Sequence, residues 1–176
     1  MRKLSIEELN RLSTGEFKKA EKNPVYVVLD NIRSLNNIGS VFRTCDAFRI
    51  RKIFLCGITA VPPHKDIHKT ALGATESVDW EYADDTLTVV QKLHEAGIRI
   101  LSVEQADRST MLQDITIEPG SGIALVFGHE VRGVDQAVID ASDDCIEIPQ
   151  FGTKHSFNVS VSAGIVLWEV TKKMGF

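Results

Sequence analysis

The sequence predicts an α/β protein in which a parallel β-sheet is covered by helices on both faces. Short and almost uniformly apolar runs, such as VYVVL at residues 25–29 and IALVFG at residues 123–128, are typical of strands buried on both sides. Segments with helical periodicity alternate with these runs along the chain. Polar segments follow several of the runs, at the carboxyl ends of the strands, where ligands bind in sheets of this kind.

The first predicted element is a helix over residues 5–20. Ser5 and Glu8 have the spacing of a capping box, in which two side chains bond the first backbone amides of a helix. The helix ends near the Asn-Pro pair at 23–24, because proline cannot continue it. Residues 1–24 are therefore expected to form a short N-terminal helical arm.

The other elements follow from apolar runs, caps and chain breakers. Asp84 or Asp85 caps a helix that ends at Ala96, with Gly97 as the stop signal. Two prolines and two histidines make residues 59–75 a loop that contains a short helix. The predicted strands are residues 25–29, 52–57, 76–80, 98–104, 123–128 and 145–148, and the other predicted helices are residues 37–48, 65–71, 85–96 and 158–174.

The composition is that of one globular domain over residues 1–176. Hydrophobic residues make up 43% and charged residues 25% of the chain, enough for a core without disulfides or metal. No apolar run approaches the roughly 18 residues of a membrane span, so we expect a cytoplasmic protein without membrane contact. Cys45, Cys56 and Cys145 are odd in number and widely spaced, which favours reduced thiols that pack in the core.

The charge is acidic overall but basic in one stretch. A net charge of −4 argues against indiscriminate binding to nucleic acid. Between residues 43 and 69, however, six lysines or arginines outnumber two acids, and Lys65 and Lys69 lie beside His64 and His68. This stretch is either an RNA-binding patch or a solvated loop with scattered charge.

Several common catalytic templates are missing. The GHEVRG segment at residues 128–133 lacks the Lys and Ser or Thr of a phosphate-binding loop, and no GxGxxG or GxSxG pattern occurs. These absences argue against nucleotide hydrolysis, a serine hydrolase and a dinucleotide-dependent oxidoreductase. His64 and His68 have the spacing of metal ligands, but no third ligand accompanies them, so we expect no metal site.

Three polar segments are expected to meet at one edge of the sheet. They are residues 31–48 (NIRSLNNIGSVFRTCDAF), residues 125–135 (LVFGHEVRGVD) and residues 148–166 (IPQFGTKHSFNVSVSAGIV). Each follows or contains the end of a predicted strand, and the carboxyl ends of parallel strands lie together. The segments therefore indicate one shared site.

Arg43 is the most informative charged residue of these segments. It lies in a predicted helix of small and apolar residues, where a charged group needs a partner or a ligand. A structural salt bridge to an acid such as Glu130 would explain it without a function. Asn37, in turn, could serve only as the N-cap of the same helix.

Taken together, the segments resemble the SpoU/TrmH family of RNA ribose 2′-O-methyltransferases, part of the SPOUT superfamily. The resemblance extends from about residue 25 to residue 170, and the three family motifs occur in order. The matching residues are Asn37 and Arg43 in the first motif, Phe127, Gly128, Glu130 and Gly133 in the second, and Ile148, Pro149, Gly152, Ser156, Asn158 and Ser160 in the third.

The resemblance implies a parallel sheet whose C-terminal part forms a deep trefoil knot. It also implies S-adenosylmethionine bound in the knot and a homodimer that completes the site, with Ser156 and Asn158 nearest the methyl transfer. The implied cofactor-binding residues are Val103, Glu104, Gly128, His129, Ile148, Pro149, Ser156 and Phe157. The implied catalytic residues are Arg43, Asn37, Glu130, Ser156 and Asn158.

Arg43 suits the chemistry that the resemblance implies. A ribose 2′-hydroxyl is a poor nucleophile, so the site has to stabilise its developing negative charge. Because a guanidinium stays protonated, we expect Arg43 to act as an electrostatic clamp rather than as a base. Asn37 and Glu130 would orient it, and the proton would leave through a phosphate, water or Glu130.

The implied substrate is tRNA or rRNA. We favour tRNA, because a small domain can grip a compact substrate through the basic stretch and the first helices of two subunits. The expected RNA-binding residues are Arg33, Arg43, Lys65, Lys69 and Lys154. The alternative is a non-catalytic RNA-binding protein on the same knotted fold, against which the intact motif residues argue.

Overall fold

In the computed structural model, which describes residues 1–5 and 7–175, strands alternate with helices along most of the chain. The strands are β1 (Asn23–Asp30), β2 (Ile50–Cys56), β3 (Trp80–Ala83), β4 (Arg99–Val103), β5 (Thr110–Met111), β6 (Ile123–Phe127) and β7 (Asp144–Glu147). The helices are α1 (Thr14–Lys19), α2 (Leu35–Ala47), α3 (Lys65–Ala71), α4 (Ala74–Ser77), α5 (Thr86–Glu95), α6 (Gln136–Asp140) and α7 (Val159–Lys173). Short 3-10 helices occupy Glu7–Leu9 and Leu112–Asp114.

The strands form a single parallel sheet in the order β3-β2-β1-β6-β4-β7-β5. The central strand β1 pairs with β2 on one side and with β6 on the other. Because parallel strands end at the same edge of a sheet, the segments that follow β1, β4, β6 and β7 meet there. The parallel sheet with its covering helices confirms the predicted α/β class.

Hydrophobic cores lie on both faces of the sheet. On β1, Val27 and Leu29 face the core beneath α2, α3 and α7, whereas Val28 faces the core beneath α5 and α6. Leu125 and Val126 of β6 divide between the same two cores. This division explains the uniformly apolar runs, because each fully buried side chain stabilises the fold by about 1.5–3 kcal/mol whichever face it occupies.

Helix α2 begins at Ser34, whose hydroxyl accepts a hydrogen bond from the Asn37 amide at 3.3 Å. Asn37 is therefore not the N-cap. Further along, α2 packs closely against α3 at Gly39, where a Cβ atom would lie 2.3 Å from the carbonyl oxygen of Ile67 and 2.1 Å from the hydroxyl of Thr70. The close approach of the two helices thus depends on a glycine.

The predicted helix over residues 5–20 is wrong in its extent. Helix α1 covers only residues 14–19, and Ile6, inside the predicted range, lies outside the described residues. The capping box is made by Ser13 and Glu16, with the Ser13 amide 2.8 Å from the Glu16 carboxylate. Two Ser-x-x-Glu patterns compete in this region, and the helix forms where Phe17 can be buried.

The predicted third strand at residues 76–80 is also wrong. Residues 74–77 form α4 and the strand begins at Trp80, because Ser77 is buried and its hydroxyl donates to Asp46 of α2. Two short elements were not predicted. Strand β5 has two residues, and α6 has five residues capped by Asp135, so neither is long enough to show a period.

The cysteines are buried and unpaired. Burial raises the pKa of Cys56 to about 12 and of Cys145 to about 11, and it raises the pKa of Cys45 further. Such thiols are mostly protonated at neutral pH and react slowly. Within residues 1–5 and 7–175, no helix is both long and apolar enough to cross a bilayer, and no group of three His, Cys, Asp or Glu residues is placed to hold a metal ion.

Candidate functional site

A cavity of about 770 Å³ opens at the carboxyl edge of the sheet. Its walls come from residues 103–105 after β4, residues 127–134 after β6 and residues 155–159 at the start of α7. Most of the predicted cofactor-binding residues line it, namely Val103, Glu104, Gly128, His129, Ile148, Ser156 and Phe157. Pro149 does not line the cavity.

One wall is a tight turn that requires two glycines. A Cβ atom at Gly128 would lie 2.1 Å from the backbone carbonyl carbon of Gly133 and from the backbone nitrogen of Val134. Gly133 has a φ of +72°, which residues with side chains rarely adopt. The Gly133 amide donates to the His129 carbonyl at 2.8 Å, and the His129 Nδ1 atom accepts from the Val131 amide at 3.0 Å.

Two carboxylates hold the end of this turn. Glu104, after β4, accepts a hydrogen bond from the Val134 amide at 3.0 Å, and Asp30, at the end of β1, accepts one from the Asp135 amide at 3.1 Å. Asp30 is only 2% exposed and also binds the Thr86 hydroxyl at 2.6 Å. Sequence reasoning missed Asp30, although an acid that ends a buried apolar strand is a usable signal.

Glu130 fastens the turn to the start of α2. Its carboxylate accepts hydrogen bonds from the backbone amides of Arg33 at 3.0 Å and Ser34 at 2.9 Å. The side-chain amide of Asn37 donates to the same carboxylate at 3.1 Å. Asn37 in turn accepts a hydrogen bond from the Asn158 side chain at 3.1 Å, so a continuous chain of hydrogen bonds joins the three segments that the sequence singled out.

These contacts favour a charged Glu130. Partial burial alone would raise the pKa of Glu130, but the hydrogen bonds from Arg33, Ser34 and Asn37 outweigh it and hold the pKa below its usual value of 4.5. A carboxylate with a lowered pKa and three protein donors is a weak base. Its evident task is to join two segments of the site.

Asn158 and Ser156 lie at the mouth of α7. Asn158 is the N-cap of this helix, and its side-chain oxygen accepts from the Ser160 amide at 3.0 Å and from the Ser160 hydroxyl at 2.7 Å. Ser156 is exposed and lines the cavity, and within the described residues its hydroxyl has no hydrogen-bond partner. The Ser156 hydroxyl is therefore available to a ligand.

Arg43 lies apart from the residues that it was predicted to meet. It is exposed on α2 and does not line the cavity. Among the described residues it forms no ion pair with Glu130 or any other acid. The structural salt bridge between Arg43 and Glu130 is therefore wrong for the monomer, because Glu130 is satisfied by amide groups instead.

The other predicted RNA-binding residues are exposed but do not share one surface with every cation of residues 43–69. Arg51 and Lys52 lie at the amino end of β2, and Lys52 pairs with Glu81 at 2.6 Å. Lys65 and Lys69 lie on α3, beyond the other end of that strand. Arg33 is exposed before α2, and Lys154 is exposed between β7 and α7.

Comparisons with known proteins place this architecture among RNA-modifying enzymes. The chain matches the SpoU rRNA Methylase family over residues 24–168. It is 31% identical to the 23S rRNA (guanosine-2'-O-)-methyltransferase RlmB of Nitrosomonas europaea, over 96% of this chain and 64% of that protein. The A. aeolicus TrmH/SpoU tRNA modifying enzyme has the same fold, with a TM-score of 0.79 and 24% identity over 91% of this chain and 79% of that one.

A second solved structure, the AdoMet-bound rRNA methyltransferase from Sinorhizobium meliloti, gives a TM-score of 0.80 at 24% identity, over 89% of this chain and 59% of that one. The chain spans just under two thirds of the length of the curated relatives that it matches best in sequence. The family match covers most of the chain, including all three motif segments and the cavity that they form. The resemblance found in the sequence is thereby confirmed, and the chain belongs to the SpoU rRNA methylase family.

Proposed function

We propose that the protein transfers the methyl group of S-adenosylmethionine to a ribose 2′-hydroxyl of an RNA. The observation that supports this most is the cavity at the carboxyl edge, closed on one side by the chain of hydrogen bonds from Glu130 through Asn37 to Asn158. It brings together three motif segments that lie far apart in the sequence. The family membership and the AdoMet-bound relative support the same reaction.

The cavity suits S-adenosylmethionine in size and chemistry. A volume of about 770 Å³ is within the range of small-molecule sites. Ile148 and Phe157 offer apolar surface for the adenine, and the turn at residues 128–134 presents backbone groups. The carboxylates of Glu104, Glu130 and Glu147 line the cavity and favour a cation. When bound, the cofactor supplies an electrophilic methyl group on a sulfonium.

The residues of the chain then position the RNA. Ser156 and Asn158 would hold the ribose at the mouth of α7, where the Ser156 hydroxyl is free of protein partners among the described residues. Because Glu130 already accepts three hydrogen bonds, a phosphate or water is favoured over Glu130 as the proton acceptor. Arg43 would stabilise the charge on the 2′-oxygen.

The proposed enzyme is a homodimer in which Arg43 serves the cavity of the other subunit. Arg43 is exposed and outside the cavity of its own chain. Helix α7 carries an exposed apolar stripe at helical spacing, with Val161 48% and Trp168 60% exposed and Gly164 and Ile165 between them. An apolar stripe of this kind is typical of a subunit interface.

The trefoil knot also remains a proposal. Strand β7 lies between β4 and β5 in the sheet, so residues 104–109, which join β4 to β5, cross the carboxyl end of β7. Residues 148–158 leave β7 at the same place and lead to α7. A chain crossing at this point supports the knot that the family resemblance implies.

The class of RNA is the least constrained part of the proposal. The name of the RlmB relative favours 23S rRNA, whereas that of the A. aeolicus enzyme favours tRNA. The preference for tRNA therefore stays a prediction, as does the cytoplasmic location. Transfer of labelled methyl groups from S-adenosylmethionine to separate tRNA and rRNA pools, with ribose methylation mapped in cells lacking the gene, distinguishes the two.

Binding of the cofactor is tested first by calorimetry. We expect the wild type to bind S-adenosylmethionine, and Gly128→Ala to bind it at least about tenfold more weakly, because the added methyl group would displace the backbone of residues 133–134. Gly152→Ala is the matched control, since nothing lies within 4 Å of its Cβ position, and should bind normally. A wild type that binds RNA but no S-adenosylmethionine would favour the non-catalytic alternative.

A further inference from the structure

A second cavity, of about 500 Å³, lies between the first turn of α3 and the start of β3. It shares no lining residue with the first cavity. Strand β3 forms the edge of the sheet, so no further strand covers this side. The second cavity is therefore open to a large ligand.

The walls of the second cavity are flat and apolar. Trp80, which packs against the core while staying partly exposed, provides one wall. Pro62, Pro63 and Ile67 provide the others. Aromatic rings stack with nucleobases of any kind, because every base has a π-face.

The rim of the second cavity is cationic. Lys65 and His68 line it, and Lys69 follows on the same helix. All three are exposed, and within residues 1–5 and 7–175 none of them forms an ion pair. The acids nearby are Asp66, Glu76 and Asp79, of which Glu76 lines the cavity. Its carboxylate can accept a hydrogen bond from an exocyclic amino group of a base.

We propose that this second cavity binds one unpaired nucleotide of the RNA substrate, with the base stacked on Trp80 and the phosphate bound by Lys65 and Lys69. Glu76 favours adenine or cytosine, which carry amino groups, over uracil. The proposal rests on the proposed function, since it assumes an RNA substrate. The bound nucleotide is not the one that is methylated.

The position of α3 links this nucleotide to the catalytic site. The Thr70 hydroxyl donates to the Asn36 carbonyl at 3.0 Å, and Gly39 lets the two helices touch. Asn37, the next residue, belongs to the chain of hydrogen bonds at the first cavity. The two cavities are thus about one interhelical distance of 8–10 Å apart in packing terms, a span that a single RNA strand can cover.

Fluorescence of Trp80 provides a direct test. The chain has two tryptophans, so Trp168→Phe leaves Trp80 as the only reporter. We expect single-stranded hexamers of A or C to quench it with saturation, and hexamers of U to bind more weakly. Inorganic polyphosphate carries the charge without the bases and should not quench. Equal quenching by polyphosphate, or no quenching by any hexamer, would overturn the proposal.

Binding of labelled hexamers measured by anisotropy extends the test to variants. Trp80→Leu should lose about tenfold in affinity and Trp80→Phe should keep most of it, because a phenyl ring still stacks. Tyr82→Leu, an aromatic loss on the same strand outside the cavity, is the control and should bind normally. Lys65→Ala with Lys69→Ala should reduce the salt dependence by about 0.7 per lost phosphate contact. If Trp80→Leu binds as tightly as Tyr82→Leu, the stacking site is wrong.

Calorimetry with S-adenosylmethionine on the same samples separates the two proposals. Normal cofactor binding without quenching of Trp80 would remove the nucleotide site and leave the proposed function intact. Quenching of Trp80 in a protein that does not bind the cofactor would keep the nucleotide site and remove the methyltransferase.

Discussion

At the scale of single residues, Glu130 shows how a motif residue can act by joining segments. Its carboxylate accepts from two backbone amides ahead of α2 and from Asn37. Because those donors belong to residues 33–37 and the acceptor to the turn after β6, the contact fixes one segment of the site relative to another. A role in organising the site follows directly from these distances.

Replacing Glu130 tests this role through the pH dependence of stability. The pKa of Glu130 is lower in the folded protein than its usual 4.5, so its stabilising effect is present in full above that value and is lost as the pH falls through the lower folded value. We expect Glu130→Gln to reduce the free energy of unfolding by about 1–3 kcal/mol at neutral pH. The difference from wild type, measured by urea unfolding, should shrink below about pH 4.5.

Glu118→Gln provides the control for this experiment. The Glu118 side chain is exposed and, within the described residues, makes no hydrogen bond or ion pair, so its stability should follow that of the wild type. A constant difference between Glu130→Gln and wild type down to about pH 3 would contradict the assigned charge state.

Arg43 is tested by its conservative replacement. If its forked guanidinium stabilises the reacting oxygen, Arg43→Lys should keep more RNA and cofactor affinity than Arg43→Ala while losing most of the turnover, about tenfold to a thousandfold. Single-turnover methylation and equilibrium binding measure the two effects separately. Full activity in Arg43→Lys would show that the geometry of the guanidinium is not needed.

At the scale of elements, the contact of α2 with α3 depends on Gly39. A Cβ atom there would lie 2.3 Å from the Ile67 carbonyl oxygen and 2.1 Å from the Thr70 hydroxyl, so the helices would have to separate. We expect Gly39→Ala to lower the free energy of unfolding by about 2–3 kcal/mol. The control is Gly15→Ala in α1, where nothing lies within 4 Å and the change should be neutral or stabilising by up to about 1 kcal/mol. Thermal unfolding distinguishes the two.

The strands are the elements that the sequence predicts best. Residues 25–29 lie within β1 and residues 123–128 cover β6, because burial on both faces leaves an uninterrupted apolar run. Helix starts are harder to predict, since Ser5 and Ser13 begin equivalent patterns and only the burial of Phe17 decides between them. Local sequence offers choices that tertiary packing then settles.

The candidate site is predicted in its composition but not in its contacts. The motif segments do supply most of the cavity, yet the partners of Glu130 and Asp30 lie 93 to 105 residues away in the chain. These contacts follow from β6 lying between β1 and β4, and strand order is not written in the periodicity of any one segment. For the same reason, sequence reasoning placed Arg43 beside Glu130.

At the scale of the whole molecule, the site of one chain is incomplete without Arg43. The exposed stripe on α7 and the exposed Arg43 on α2 suit an arrangement in which each subunit completes the site of the other. A symmetric dimer would then contain two composite sites.

Mixed dimers test this arrangement. Heterodimers that pair Arg43→Ala with Asn158→Ala, purified through two different tags, would contain one intact site and one doubly altered site. We expect about half the wild-type activity from them, although each parent homodimer is inactive. Activity no higher than that of the parents would place Arg43 and Asn158 in the same subunit's site, or outside the reaction.

The bond between Asn37 and Asn158 has a consequence for synthesis of the protein. Its two residues are 121 positions apart, and a ribosome adding about 5–20 residues per second needs on the order of ten seconds to travel from one to the other. A growing polypeptide therefore carries an unfinished catalytic centre for most of its time on the ribosome. Gain of enzymatic competence should coincide with completion of the last helix, which makes methylation a late and sensitive marker of maturation.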